Sequence, residues 1–355
     1  MNVVQLPPRR KLGKIHVPTV TLAHGGGGKA MKDLIDDVFI SAFAGASAPA
    51  LEDQARFDLA ALAVHGDRLA FTTDSFVIDP LEFPGGDIGK LAVCGTVNDL
   101  AVGGAKPLYL SCAVIVEEGV SLDMLRRLAL SMAKTATDAG VGIVTGDTKV
   151  VPRGAADKLF ITTTGIGVIP KGRDISVSRA QPGDGVLVNG WLGDHGAAIL
   201  AARGDLALDA DIQSDCAPLH GLIEALLCAA PGTRFIRDAT RGGLATVLNE
   251  VAEASNVSIL IAEDQTPLRP EVCGVCEILG LDPLYLANEG KIVIVVPPDE
   301  IPAALAAMRV HPLGEKAALI GHIGDGEAGR VVMKTVFGGS RIVDMLVGEQ
   351  LPRIC

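Results

Sequence analysis

The last residue of the sequence carries a thiol. Cys355 ends the segment Pro352–Cys355, and terminal segments of this kind are usually exposed and mobile. An extended chain covers about 3.3 Å per residue, so the residues after Gly339 can span roughly 50 Å. The tail can therefore carry its thiol into a cleft of the same molecule or to a partner.

A run of four glycines, Gly25–Gly28, follows His24 and precedes a predicted helix that starts at Lys29. Glycines before a helix leave backbone N–H groups free to approach a phosphate, and the helix N-terminus adds positive potential. The pattern is neither a Walker loop nor a dinucleotide fingerprint. A flexible hinge would explain the run equally well, so the run by itself leaves both interpretations open.

Four aspartates stand beside small or hydroxylated residues and next to apolar stretches: Asp74, Asp87, Asp99 and Asp147. Hard cations such as Mg²⁺ prefer carboxylate and phosphate oxygens, so these side chains could hold metal ions against a triphosphate. Aspartate more often caps helices or forms turns. For any single aspartate of the four, a helix cap or turn is the favoured interpretation. For the whole set in one domain, a site for metal ions and a triphosphate is favoured.

The second half of the chain offers two further candidates. Arg241 precedes Gly242 and a predicted helix that ends near Ala254. At the start of that helix its guanidinium could form two hydrogen bonds to phosphate oxygens, or the segment could be an ordinary capped helix start. Glu289 precedes an apolar strand at residues 292–296. Its carboxyl is either a base or part of a solvated turn, and the residues alone favour the turn.

Seven cysteines, most of them in apolar surroundings, indicate a reduced, cytoplasmic compartment. Cys273 and Cys276 have the spacing of a redox or zinc pair. No second pair or histidine cluster accompanies them, and two core positions of a helix over residues 270–279 are the favoured interpretation.

Composition bounds the function. The chain has 355 residues, 48% hydrophobic and 21% charged, which predicts two globular domains. A net charge of −11 argues against a nucleic-acid partner, because phosphate neutralisation needs a basic surface. No targeting segment is evident, and no apolar run approaches the roughly 18 residues that span a bilayer.

Alternating helix and strand patterns predict an α/β architecture. Strands are expected at 68–76, 108–116, 142–151 and 159–169, and helices at 29–44, 88–102 and 122–139. Ser121 is the expected N-cap of the last helix, which Gly140 ends. Residues 45–55 are expected to form a loop. A second unit is expected from 186 to 323, followed by a strand pair at 331–336 and 341–346.

Taken together, these motifs resemble, over essentially the whole chain, the HypE family of hydrogenase maturation proteins. That family belongs to the superfamily of aminoimidazole-ribonucleotide synthetase, selenophosphate synthetase and thiamine-monophosphate kinase. The terminal Pro352–Cys355 is the most specific match. The matching segments are His24–Gly28, Thr72–Phe76, Phe83–Leu91, Gly95–Leu100, Gly146–Val150, Asp238–Leu244, Asn288–Lys291 and Pro352–Cys355.

The resemblance implies a two-domain PurM-like fold of α/β layers, in which the N-terminal sheets of two chains pair across a homodimer. The implied organisation is an extended arm (1–18), an ATP-binding domain (19–170), a C-terminal domain (171–338) and a flexible tail (339–355).

The resemblance also implies a reaction. A carbamoyltransferase, HypF, loads a carbamoyl group onto Cys355, ATP phosphorylates its oxygen, and loss of phosphate leaves a thiocyanate. The cyanide then passes to iron on a HypC–HypD complex. Implied metal ligands for Mg²⁺ are Asp74, Asp99 and Asp147. Implied catalytic residues are Cys355, Lys149, Glu289 and Asp87. Implied ATP contacts are Gly25, Gly26, Gly27, Gly28, Lys29, Asn98, Thr148 and Arg241.

Two rival functions remain. Another enzyme of the superfamily, such as a selenophosphate synthetase or small-molecule kinase, would keep the ATP site without using Cys355. The selenium enzymes place a reactive residue near the glycine run, whereas here the first cysteine is Cys94. A non-catalytic thiol carrier would need neither the aspartates nor the glycine pairs.

Overall fold

The structure, a computed structural model, describes residues 14–44, 52–204, 211–346, 348 and 353–355. Most of the predicted arm (1–13), much of the predicted loop (45–51) and part of the predicted tail (347 and 349–352) lie outside the described residues. In the described part, no helix is both long and apolar enough to cross a membrane.

The N-terminal half is built on a four-stranded sheet in the order β1-β6-β4-β5. Its strands, with a small β2–β3 hairpin, are β1 Arg68–Phe76, β2 Glu82–Phe83, β3 Gly86–Asp87, β4 Lys106–Glu117, β5 Gly142–Val151 and β6 Leu159–Ile169. Its helices are α1 Lys29–Leu34, a π-helical segment Ile35–Ile40, α2 Ser41–Phe43, α3 Leu59–Ala63, α4 Ile88–Val102 and α5 Leu122–Asp138. The four predicted strands are present, whereas the single helix predicted over 29–44 is interrupted by the π-helical segment.

Two helices cover one face of this sheet for reasons visible in the sequence. In α5, Ser121 accepts a hydrogen bond from the Met124 backbone N–H, and Gly140 follows the helix with φ of 67°. The apolar face of α5, including Leu125 and Leu128, is buried. α4 is apolar on nearly every side because it lies between the sheet and the C-terminal half.

The opposite face of the sheet carries large apolar side chains that remain exposed. Leu69 and Phe71 on β1 are 62% and 72% exposed, and Ile115 on β4 and Val144 on β5 are 42% and 39% exposed. β1 and β5 are the two edge strands. Exposed apolar surface of this kind marks an interaction site.

The C-terminal half contains a seven-stranded sheet in the order β13-β12-β9-β11-β7-β10-β8. Its strands are β7 Gly185–Val188, β8 Phe235–Asp238, β9 Ser258–Ala262, β10 Ile292–Val296, β11 Ala318–Gly324, β12 Val331–Lys334 and β13 Ser340–Ile342. Its helices are α6 Asp194–Arg203, α7 His220–Ala229, α8 Gly243–Ala254, α9 Pro270–Leu279 and α10 Ile301–Val310. Every residue of β10 is buried, as its unbroken apolar run predicts.

The last three residues return to the N-terminal half. Ile354 forms an antiparallel bridge with Ile78, just beyond the end of β1, and is 2% exposed. The Val77 N–H donates to the Cys355 carbonyl at 3.1 Å, and the Asp79 N–H donates to the Arg353 carbonyl at 3.3 Å. The chain end is therefore docked as a short added strand.

Candidate functional site

The docked tail brings Cys355 into a polar cavity of about 290 Å³ between the two halves, called here the thiol cavity. The ends of β1, α4 and β8, the start of α8 and the turn before β10 all contribute to its wall. The ionisable side chains that line it are Asp74, Asp99, Arg237, Asp238, Arg241, Glu250, Glu289 and Cys355.

Cys355 is held in the cavity as a neutral thiol. Burial, then the negative charge of Glu289, raises the pKa of its thiol to about 12, although Arg241 opposes the shift. The Arg241 Nη2 donates to Cys355 Sγ at 3.3 Å. A free thiolate is thus disfavoured in this position.

Glu289 is the most deeply buried carboxyl of the cavity wall. It is 3% exposed, and its Oε1 has no hydrogen-bond partner among the described residues. Burial, with help from Cys216 and Asp215 among other neighbours, raises the pKa of Glu289 well above its ordinary value. The sequence alone favoured a solvated turn at this position, whereas the structure buries it.

Asp215 fixes the backbone around Glu289. Its two carboxylate oxygens accept from the Glu289 N–H at 2.9 Å and the Gly290 N–H at 3.2 Å. Lys291 forms an ion pair with the same carboxylate at 3.0 Å. Any side chain at Gly290 would meet the Asp215 carbonyl oxygen at 2.0 Å, so the turn requires glycine. No motif marked Asp215 in the sequence.

Three further carboxyls repel one another in the cavity. Burial, followed by the charge of Asp99, raises the pKa of Asp238 to about 7. Burial also raises the pKa of Asp99, although a hydrogen bond of 2.9 Å from the Thr72 hydroxyl opposes the shift. Burial raises the pKa of Asp74 as well. Protein carboxylates alone do not form a metal site among the described residues, so a cation here would also need phosphate oxygens or waters as ligands.

The glycine run lies elsewhere, against β5. A Cβ on Gly25 would stand 2.9 Å from the Val150 Cβ, so glycine is needed for the close packing. On the same strand, Lys149 forms an ion pair with Asp147 at 2.9 Å and lowers the pKa of that carboxyl. Residues 25–28 and 147–149 are called here the glycine edge.

The strand register separates the two groups. Asp74 on β1 is paired with Thr163, Thr163 with Cys112, and Cys112 with Gly146. Asp147 is therefore three strands away from Asp74, or about 14 Å at the usual strand spacing. Among the described residues no group of three or more His, Cys, Asp or Glu side chains could hold a metal ion. Within one chain, Asp147 does not join Asp74 and Asp99.

Two predicted site residues make structural contacts within the chain. Both carboxylate oxygens of Asp87 are engaged at the start of α4: Oδ1 caps Gly89 and Lys90, and Oδ2 accepts from Ser131 at 2.5 Å. Asn98 is buried and joins α4 to the C-terminal half, because its Oδ1 accepts from the Leu219 N–H at 2.7 Å.

Two other predicted ATP contacts lie at the glycine edge. Lys29 forms an ion pair with Asp33 at 2.5 Å. Thr148 is buried, and its backbone N–H donates a hydrogen bond to Asp147 Oδ1 at 2.8 Å.

Comparisons with known proteins agree with this architecture. Residues 54–169 and 181–334 match the N-terminal and C-terminal domain families of AIR synthase related proteins. A protein from Rhodobacter capsulatus named carbamoyl dehydratase HypE is 64% identical over 336 residues, which cover 95% of this chain and 98% of that protein.

Two solved structures are also similar. A crystal structure of hydrogenase maturation protein HypE in complex with ATP superposes with a TM-score of 0.88 at 50% identity, covering 94% of this chain and 99% of that one. The crystal structure of a HypE–HypF complex matches with a TM-score of 0.76 at 50% identity, covering 78% and 90% respectively. From its identity to relatives along nearly its full length, this chain belongs to the HypE family of carbamoyl dehydratases.

Proposed function

We propose that this protein dehydrates an S-carbamoyl group on Cys355 to a thiocyanate, at the expense of ATP, during hydrogenase maturation. The observation that supports it most is the placement of Cys355 in the thiol cavity beside the buried carboxyl of Glu289. A thiol group carried on a docked tail, facing a base inside a cavity, is what intramolecular chemistry on that sulfur requires.

The reaction balances as follows. The carbamoyl oxygen attacks the γ-phosphorus of ATP and ADP leaves. The C–O bond to the resulting phosphate then breaks, and both amide hydrogens leave as protons, so that a C≡N bond forms. Burial raises the pKa of Glu289, so its ionised carboxylate is a stronger base towards an amide proton than a solvated glutamate would be.

The acidic cavity fits a magnesium–nucleotide pair. Asp74, Asp99 and Asp238 carry hard oxygen donors; burial raises the pKa of all three, and neighbouring carboxyl charges raise the pKa values of Asp99 and Asp238 further. A divalent cation bound there would neutralise phosphate charge. Arg241, at the start of α8, lies within reach of both the thiol and this acidic wall.

A homodimer would bring the two separated groups together. β1 and β5 are the open edges of the sheet, and its uncovered face exposes Leu69 and Phe71. Two such sheets closing into a barrel pair β1 of one chain with β5 of the other, which removes both edges and buries the apolar face. Asp147, Lys149 and the glycine run of one chain would then complete the thiol cavity of its partner.

The state of the docked thiol indicates that the tail is loaded while it is undocked. With its pKa raised to about 12, the docked Cys355 is a poor nucleophile. Loading must therefore occur with the tail undocked, on a carbamoyltransferase surface. The structure of a relative bound to HypF supports that protein as the donor. The proposed cyanide acceptor is a HypC–HypD complex.

Intact-mass measurement tests the proposal. Wild type, incubated with HypF, carbamoyl phosphate, ATP and Mg²⁺, should gain a carbamoyl group that then loses one water, while Cys355→Ser gains neither. Omission of ATP after loading should stop the reaction at the carbamoyl adduct. ATP turnover with no adduct on Cys355 would favour a small-molecule kinase, and loading without any loss of water would favour a thiol carrier.

A further inference from the structure

The backbone of the docked tail is held by a buried histidine that the proposed chemistry does not use. His195, in the first turn of α6, is fully buried, and its Nε2 lies 2.7 Å from the Ile354 carbonyl oxygen. A carbonyl oxygen can only accept, so Nε2 carries the hydrogen and donates it. That bond holds the peptide group directly before Cys355.

The rest of the imidazole is fixed as well. Its Nδ1 lies 2.8 Å from the Ser214 hydroxyl, which also accepts from the Cys216 N–H at 3.1 Å. Burial lowers the pKa of His195, so the ring is neutral and Nδ1 accepts the hydroxyl hydrogen. Phe83 meets the ring edge-on at 5.6 Å between centroids. Neither tautomer nor orientation is free to vary.

The same short segments position both the tail and the buried carboxyl. Ser214 binds His195, and the next residue, Asp215, binds the Glu289 backbone. Asn288 Oδ1 accepts from the Gly193 N–H at 2.7 Å at the start of α6. A hydrogen-bonded frame thus links the contact on Ile354 to the carboxyl that faces Cys355.

We propose that His195 is a positioning residue that registers the tail, through the Ile354 carbonyl, so that the sulfur of Cys355 meets Glu289. This inference rests on the proposed function for its catalytic consequence but not for the docking itself. Loss of the Nε2 donor should leave the tail undocked for more of the time, since one buried hydrogen bond accounts for about a five- to tenfold change in such an equilibrium.

Two isosteric substitutions separate the two ring nitrogens. His195→Gln places an amide nitrogen near the Nε2 position and keeps a donor for Ile354. His195→Asn places its amide near Nδ1 and leaves the Ile354 carbonyl without that donor. Both variants remove the imidazole, so a difference between them reports on the tail bond rather than on general loss of the ring. Equal thermal melting temperatures of the two confirm a fair comparison.

Two measurements decide the proposal. Alkylation of Cys355 by iodoacetamide, followed on the C-terminal peptide by mass spectrometry, needs neither ATP nor a carbamoyl group. It should be about five- to tenfold faster in His195→Asn than in His195→Gln. With carbamoyl-loaded protein, the single-turnover loss of water should be slower in His195→Asn by a similar factor and restored towards wild type in His195→Gln, with loading by HypF undiminished.

The outcomes distinguish the two ideas. Equal alkylation rates in the two variants overturn the role of His195, whatever the chemistry. The other outcome is faster alkylation in His195→Asn while the loaded wild-type protein fails to dehydrate its carbamoyl group. That pair of results supports the docking role of His195 and overturns the proposed function.

Discussion

The thiol cavity and the glycine edge lie on opposite edges of one four-stranded sheet, and they differ in how fully a single chain builds them. The thiol cavity contains the buried Glu289 and three further carboxyls with raised pKa values, and it holds its own thiol. At the glycine edge, Asp147 and Lys149 are exposed and satisfy each other. One region is organised within a chain, and in the proposed homodimer the other would be completed by a partner chain.

The largest effect is expected inside the cavity. Glu289→Gln keeps the shape of the side chain but cannot accept a proton, so the dehydration rate of carbamoyl-loaded protein should fall by about 10²–10⁴-fold. Single-turnover mass spectrometry measures it. Glu250→Gln, which changes another carboxyl of the same wall that is paired with Arg237, is the matched control and should change the rate only a few-fold.

Mixed dimers test whether the two regions belong to one site. Asp74→Asn and Asp147→Asn should each lose nearly all activity as homodimers. If the site is composite, a mixed dimer has one site with both substitutions and one intact site. Random mixing makes half of all dimers mixed, so about a quarter of the wild-type activity should return. No recovery on co-expression of the two tagged variants would mean that both aspartates act within one chain or in different processes.

At the glycine edge, packing predicts a contrast between two neighbouring positions. Gly25→Ala forces a Cβ to 2.9 Å from Val150 and should lower the free energy of unfolding by about 1–3 kcal/mol. Nothing lies within 4 Å of a Cβ on Gly28, so Gly28→Ala should lower it only by the poorer helix capping of alanine, about 0.5–1 kcal/mol. Urea denaturation measures both. Equal losses would mean that the run does not pack as described.

The last difference between the two regions is a pH dependence of tail docking. The thiol pKa rises from 9.0 to about 12 on docking, so docking is fully favoured below pH 9. Each pH unit above 9 should weaken docking by about tenfold, up to about pH 12, because the undocked thiolate is favoured. Iodoacetamide alkylation of Cys355 should keep accelerating above pH 9, while a free C-terminal peptide reaches a plateau. Parallel profiles would show that the sulfur is not buried in solution.

Local patterns predicted the elements well. Alternation and flanking glycines located β1, β5 and β6, and the Ser121 cap located the start of α5, since these signals depend on neighbours in sequence. The continuous helix expected over 29–44 is interrupted by a π-helical segment, and no capping or helix-breaking residue in the sequence predicts that interruption.

The candidate site depends on contacts between residues that are far apart in the sequence. Asp87 and Asn98, predicted as site residues, also make structural contacts, and Glu289, where the residues alone favoured an exposed turn and the resemblance implied a base, is buried. Burial depends on what packs from elsewhere in the chain. Asp215 is 74 residues from Glu289, and His195 is 159 residues from Ile354, so no periodicity could connect either pair.

The sequence by itself determined the family, the α/β elements and the thiol at the chain end, because residue types, spacing and motifs are properties of the chain read in order. Only the tertiary structure decided which of the acidic residues share a cavity, which nitrogen holds the tail, and that the glycine run stands three strands from Asp74. Those facts follow from strand order and burial, which set distances and pKa values between residues that sequence separation leaves unrelated.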